Sequence, residues 1–379
     1  MALKAKVVPY LKNLIGWRTK RKILAFFVDD YGNVRIDSEE ARRKMAEAGL
    51  RNAGRFDDYD ALESRQDLEQ LYEVLSSVRD LKGRHAVFTP LALPCNIDFE
   101  TMAGEDYREF RKEELPVTFR KLEARHPESY KGAWEIWQEG IREGFMAPQF
   151  HGREHLNLKV FNEKLEKRDP DLLTALKNRS FTGISDTGYR TISYTAAFDF
   201  WDLKENVAFA PILEDGLATF ERVYACPSVH FNPPAGREHP MIHQTLYEHG
   251  IRYIDTPFIK HEHQGYGRYK RVMNYTGKKN ALGMVYLVRN AVFEPTEKAP
   301  FDWVSRTLAQ VDAAFRLNRP AIISSHRVNF CGHIDPANRE EGLSALRKLL
   351  KEVVQRWPGV EFLSSSQLGT CIEGNGCEN

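Results

Sequence analysis

Met146-Ala147-Pro148-Gln149-Phe150-His151-Gly152-Arg153-Glu154-His155 is the stretch on which the reading of this chain turns. An apolar run ends in one histidine, and a second follows four residues on. A chain that turns into a helix after Phe150 brings His151 and His155 to one face, because positions four apart are neighbours on a helix. Two imidazoles at the mouth of a strand can hold a divalent cation, which then needs a further ligand, commonly a carboxylate. The best supplier lies far upstream, in Leu24-Ala25-Phe26-Phe27-Val28-Asp29-Asp30-Tyr31-Gly32, where an apolar strand ends in two aspartates and a turn. These two strand ends are expected to sit side by side.

The same pattern recurs outward from there. Apolar strands are expected over residues 22–28, 84–91, 145–150, 221–231, 251–255, 320–325 and 360–363. Helices are expected from the Ser38 N-cap onward and over 63–81, 106–144, 157–178, 240–249, 302–317 and 339–356. Residues 49–61 read as a loop, 285–290 as a hairpin, 1–20 as a basic surface helix and the tail from Gly369 as loose. Strands alternating with helices indicate a parallel α/β architecture, open or closed into a barrel. Such folds do their chemistry at the carboxyl ends of the strands. Asp29, Asp30, His151, Asn232, Asp255 and His326 each follow an apolar strand. No linker marks a boundary, so residues 1–379 are expected to form one domain, with insertions near 49–82, 100–144 and 181–220.

Composition narrows the partners. With 54 basic and 53 acidic residues the net charge is +1, which argues against nucleic acid as a partner, since phosphate binding shows as a basic excess. No apolar run reaches transmembrane length. The basic N-terminal stretch lacks the apolar core and cleavage site of a secretory signal. The five cysteines are scattered and read as reduced thiols in a cytoplasmic protein.

Each motif has a plainer reading. Asp29-Asp30 suits a turn, and His326 alone suits a buried structural histidine. Twelve histidines make a chance His-x-x-x-His pair a real risk. The second such pair, His239 and His243, follows a Pro-Pro turn at a helix start and reads as capping or packing. The joint order carries the weight: two acids, paired histidines, Pro-Pro, then a lone histidine, all at strand ends.

That order resembles the polysaccharide deacetylase (NodB-homology) family of metal-dependent carbohydrate esterases. The family's Thr-Phe-Asp-Asp-Gly is similar to Phe27-Val28-Asp29-Asp30-Tyr31-Gly32. Its His-(Ser/Thr)-x-x-His is similar to His151-Gly152-Arg153-Glu154-His155, and its Arg-x-Pro-Tyr-Gly turn to Asn232-Pro233-Pro234-Ala235-Gly236. A fourth-motif aspartate resembles Asp255, and Leu-x-His resembles Ser324-Ser325-His326. The sequence departs at Asn232, where the family's arginine orients the catalytic aspartate, at Ala235 for tyrosine and at Gly152 for Ser/Thr. About 120 residues separate Asp30 from His151, more than twice the usual gap, and a helical insertion accounts for them.

The resemblance implies a distorted (β/α) barrel of about seven parallel strands with helical insertions, acting on a carbohydrate substrate. It implies a divalent metal on Asp30, His151 and His155, by default Zn2+, with Co2+, Ni2+ or Mn2+ accepted by the same donors. Asp29 would be the base and His326 the acid, its charge held by Asp255. A backbone N–H in the turn containing Asn232, Pro233 and Ala235 would meet the oxyanion. Arg327 would orient an acidic group or Asp29, and Tyr31, Phe231 and Trp201 are candidate sugar platforms. Two rivals remain: a carbohydrate-binding barrel with altered chemistry, and a metalloprotease in which Glu154 of His-x-x-Glu-His is the base. Pro148 and Gly152 disfavour the continuous helix that the protease needs.

Overall fold

The computed structural model describes residues 9–50, 54–184 and 186–374. The chain runs through β1 (Lys22–Tyr31), β2 (Phe88–Ala92), a hairpin of β3 (Cys95–Ile97) and β4 (Lys112–Glu114), then β5 (Gln149–Phe150), β6 (His230–Phe231) and β7 (Tyr253–Asp255). A second hairpin, β8 (Ile259–His263) with β9 (Tyr269–Met273), precedes β10 (Val285–Leu287), β11 (Ala291–Val292), β12 (Ala321–His326) and β13 (Val360–Phe362). Nine of these strands form one sheet in the order β10-β7-β6-β5-β2-β1-β12-β11, with β13 on the start of β1, and every pairing in it is parallel. This is a distorted (β/α) barrel with nine short strands instead of about seven.

The strand β1 is apolar throughout because both of its faces are covered. Ile23, Ala25 and Phe27 point into the barrel cluster with Leu91, Tyr253 and Ile322. Leu24, Phe26 and Val28 point outward into the main core under the helices. Only Val288, Arg289 and Asn290 separate β10, at one edge of the sheet, from β11 at the other. Four Cα steps reach at most roughly 15 Å, so these residues draw the two edges together. Among the described residues no ladder joins β10 to β11, and the covalent link closes what hydrogen bonds do not.

Several expected elements are present. Ser38 caps the helix Glu39–Glu47 by accepting from Ala41 N–H, and Ser64 forms a capping box with Asp67 ahead of Arg65–Ser76. His239 caps Met241 N–H and His243 pairs with Glu238, the packing role expected of that histidine pair. Other expectations fail. Residues 209–224 form a helix that runs into the expected strand 221–231, leaving only His230–Phe231 extended; the apolar spacing served a helix face instead. Residues 285–287 are a parallel edge strand, and the hairpin lies at 259–273. Residues Arg55–Tyr59 are helical within the expected loop. Of the expected N-terminal helix, residues 1–8 lie outside the described part, and only a turn over 9–12 is helical.

Near the other end, Ser365–Glu373 is a helix with its own capping box, so the tail is ordered to there; the rest of it, 375–379, lies outside the described residues. Cys95, Cys226 and Cys331 are free, but Cys371 is disulfide-bonded. The expectation of uniformly reduced thiols fails there, and with it that argument for a compartment. No described helix is long and apolar enough to cross a membrane.

Candidate metal centre

Asp29 and Asp30 close β1. On a regular strand their side chains would point to opposite faces. The backbone prevents this: Asp30 takes a left-handed conformation (φ 75°), and the pairing of β1 with β2 slips between Val28 and Tyr31. A strained, non-glycine residue at the strand end thus brings both carboxylates to the barrel mouth. Gly32 follows at φ 78°, where an added Cβ would lie 2.5 Å from the Leu93 carbonyl oxygen.

His151 follows β5 directly. The expected helix after it does not form; residues 151–156 make an irregular loop that starts at Gly152 (φ 100°) against Pro234. The loop returns His155 to within 5.1 Å of His151, ring centre to ring centre. Ligand atoms of Asp30, His151 and His155 all lie within 4.8 Å of one another, and all three side chains are buried. The Nε2 atoms of His151 and His155 lie 3.3 and 3.0 Å from the same Asp30 Oδ1.

This donor set fits a divalent cation. The Asn232 carbonyl can only accept, so the His151 Nδ1–H donates to it at 2.9 Å. In the neutral ring that leaves the Nε2 lone pair facing a carboxylate oxygen, a repulsion that a shared cation removes. Burial opposes the Asp30 charge, but with no cation between them the protonated imidazoles of His155 and His151 outweigh it and hold the carboxyl well below its usual range. Burial pushes His155 down towards its neutral, ligating form, against the pull of Asp30. A second acidic group, Asp98, Glu100 and Glu113, already has a cation: the Lys121 ammonium contacts all three carboxylates.

Asp29 is held by a residue that the motif reading did not include. Arg289, on the link that closes the barrel, donates two hydrogen bonds to it, at 2.8 and 2.6 Å. The same guanidinium donates to Asp255 at 2.5 Å and to Ser324 Oγ at 3.0 Å. Asp255 also accepts from the Asn232 amide at 2.9 Å. Asp255 therefore fixes Arg289 and does not hold His326, as had been expected. Asn232 stands where the resembled motif has arginine, and Arg289, from a different part of the chain, is the basic residue that holds Asp29 here.

His326 lies with Nε2 3.6 Å from Asp29 Oδ2, while its Nδ1 is 2.7 Å from Glu294. Glu294, also missed in the sequence, is buried and further held by Arg55 and Asn329. Burial lowers the His326 pKa, but Glu294 and then Asp29 raise it more, to about 9. Glu294 answers in the opposite sense: His326 and Arg55 outweigh burial and bring it to about 2.

Arg327 is not at the site. Its side chain is 1% exposed and donates to Asp60, Glu63 and the Asn33 carbonyl. Its neighbour His326 ends β12 at the mouth, whereas Arg327 opens the 3-10 turn Arg327–Phe330 and is carried into the interior. The expected sugar platforms are also elsewhere. Tyr31 packs edge-on against Trp137, Phe231 against Phe150, and Trp201 against Tyr189 and Tyr266. The phenyl rings that do line the cleft are Phe56, edge-on to His326 at 5.1 Å, and Phe258. The cleft itself measures about 740 Å³ and is walled by Asp29, Asp30, His151, His155, Ala235 and His326 among others. Ala235 sits in it in a left-handed conformation, φ 57°.

No protein-family model and no curated sequence matches the chain. Among solved structures, one described as a polysaccharide deacetylase of Mycobacterium smegmatis is 14% identical with a TM-score of 0.45, covering 96% of this chain and 94% of that one. Puue allantoinase is 10% identical with a TM-score of 0.47, over 96% and 94%. A branching enzyme of Thermococcus kodakaraensis is 13% identical with a TM-score of 0.46, over 95% and 72%. Proteins of such different described activity do not choose a reaction for this chain, which is similar to each of them only distantly and along nearly its whole length.

Proposed function

We propose that this chain is a metal-dependent hydrolase that removes an N- or O-acyl group, acetyl first, from a sugar or polysaccharide, as a divergent member of the polysaccharide deacetylase family. One observation carries the reading. A buried Asp30–His151–His155 donor set shares its cleft with an arginine-held Asp29 and a glutamate-held His326. Zn2+ is the default cation for two imidazoles and a carboxylate. When bound it supplies Lewis acidity, polarising the acyl carbonyl and making a water more acidic near neutral pH.

The chain's own groups do the rest. Asp29 takes the proton of the attacking water, and the Arg289 fork keeps its carboxylate aimed at the cleft. His326, kept charged by Glu294, donates its proton to the departing amine or alcohol. The carbonyl of Asn232 holds the tautomer of His151 that ligates through Nε2. The backbone N–H of Ala235, in the Pro233–Pro234 turn, meets the oxygen that becomes negative in the transition state.

The departures at Asn232 and Ala235 favour the reading of a binding barrel without chemistry, but Arg289 supplies the missing arginine and weighs against it. The metalloprotease reading fares worse. Glu154 is engaged by Arg153 at 2.6 Å, and its loop is not helical. Metal analysis combined with acetate release from N-acetylated oligosaccharides tests the proposal. We expect about one equivalent of metal per chain and release that stops in Asp29→Asn; metal without release in the unmodified chain leaves the binding barrel.

A further inference from the structure

Beside the metal cleft lies a second cavity of about 430 Å³, lined by Arg190, Thr191, Ser193, Arg237, His261 and Tyr269. It shares Arg237 and His261 with the cleft, so the two form one continuous groove. Its polar lining consists of two guanidiniums, an imidazole and three hydroxyls, and none of the described lining residues is a carboxylate. Arg190 is exposed and has no ion-pair partner among the described residues. Arg237 donates to Tyr269 Oη at 2.9 Å, and its nearest carboxylate, Asp199 at 3.8 Å, already pairs with His263.

We propose that the groove takes an anionic glycan, with the carboxylate or phosphate of a sugar near the acylated unit docking on Arg190 and Arg237. Guanidinium forks bind planar carboxylates and phosphates with paired, charge-assisted hydrogen bonds. The exposed Ser193 hydroxyl serves the same sugar. Lys12, which lines the metal cleft, also has no acidic partner among the described residues. The inference deepens the hydrolase reading and rests on it for the identity of the glycan as substrate.

The test measures binding without turnover. The Asp29→Asn chain, loaded with Zn2+, is titrated calorimetrically at low salt with three oligosaccharides of equal length. One is an N-acetylglucosamine oligomer, one alternates N-acetylglucosamine with glucuronate, and one links N-acetylhexosamines by phosphodiesters. At least one anionic oligomer should bind roughly tenfold tighter than the neutral one, the worth of about one charge-assisted hydrogen bond, and which one does so identifies the anion. Adding Arg190→Gln and Arg237→Gln should erase the preference while neutral affinity and bound zinc stay unchanged. Equal affinities, no binding by either anionic oligomer, or a preference that survives both substitutions overturns the proposal. Absence of acyl release by the unmodified chain instead refutes the hydrolase reading and leaves the anion subsite standing.

Discussion

Glu294→Gln removes one charge and little volume, and its consequences can be worked from the structure. The His326 pKa stands at about 9 against an ordinary 6.5, with Glu294 the largest raising influence and burial opposing it. The glutamine carbonyl can still accept from Nδ1, but the charge is gone. The imidazole then titrates near its ordinary 6.5, since burial remains and the charges of Asp29 and Asp30 pull the other way. At pH 8 the protonated fraction falls from about nine-tenths to about one-thirtieth, so kcat/KM should drop roughly thirtyfold; at pH 6 the drop should be less than about twofold.

The stability effect has the matching sign. The raised pKa of His326 means that its contribution is complete below 6.5 and is lost as pH rises through about 9. The lowered pKa of Glu294 means that its contribution is complete above 4.5 and is lost as pH falls through about 2. Both shifts describe one interaction and are counted once, as about 3 kcal/mol at neutral pH. The assay is acetate release across pH 5–10, with bound metal and denaturant midpoint followed in parallel. A variant that folds, keeps its metal and retains its alkaline limb near pH 9 would show that His326 is not the acid.

Four other outcomes follow from the same geometry. His151→Ala should lose bound metal and activity together, read by elemental analysis, whereas Asp29→Asn should lose activity alone. Arg289→Lys, which keeps the charge but not the two-pronged grip, should lower kcat roughly a hundredfold through misplacement of Asp29, with metal content unchanged. Arg327→Met should leave the buried Glu63 carboxylate without its cation and Asp60 with Arg35 alone, and cost about 3–5 kcal/mol in chemical denaturation; loss of activity without loss of stability would return Arg327 to the site. Gly32→Ala should destabilise by about 2 kcal/mol or more, from positive φ and a clash with the Leu93 carbonyl.

What the sequence determined by itself were features whose cause is local or periodic. The doubly apolar run of β1, the cap at Ser38, and polar residues at successive strand ends were legible because burial and capping leave residue-type signatures. The grouping of Asp30 with His151 and His155 could be anticipated because a parallel α/β fold collects the carboxyl ends of its strands on one face. The helix over 209–224 was not legible, since short apolar runs satisfy strand and helix periods alike.

The partners of the site belonged to the tertiary structure alone. Nothing near Arg289 in sequence marks it as the partner of Asp29, 260 residues away, and nothing marks Glu294 over Asp255 as the partner of His326. Those choices depend on where the barrel closes. The three-residue link between β10 and β11 carries Arg289 to the mouth, and β11 delivers Glu294 beside β12. A single charge pairs with whichever opposite charge the closed sheet sets beside it, and only the order and register of the strands decide which one that is.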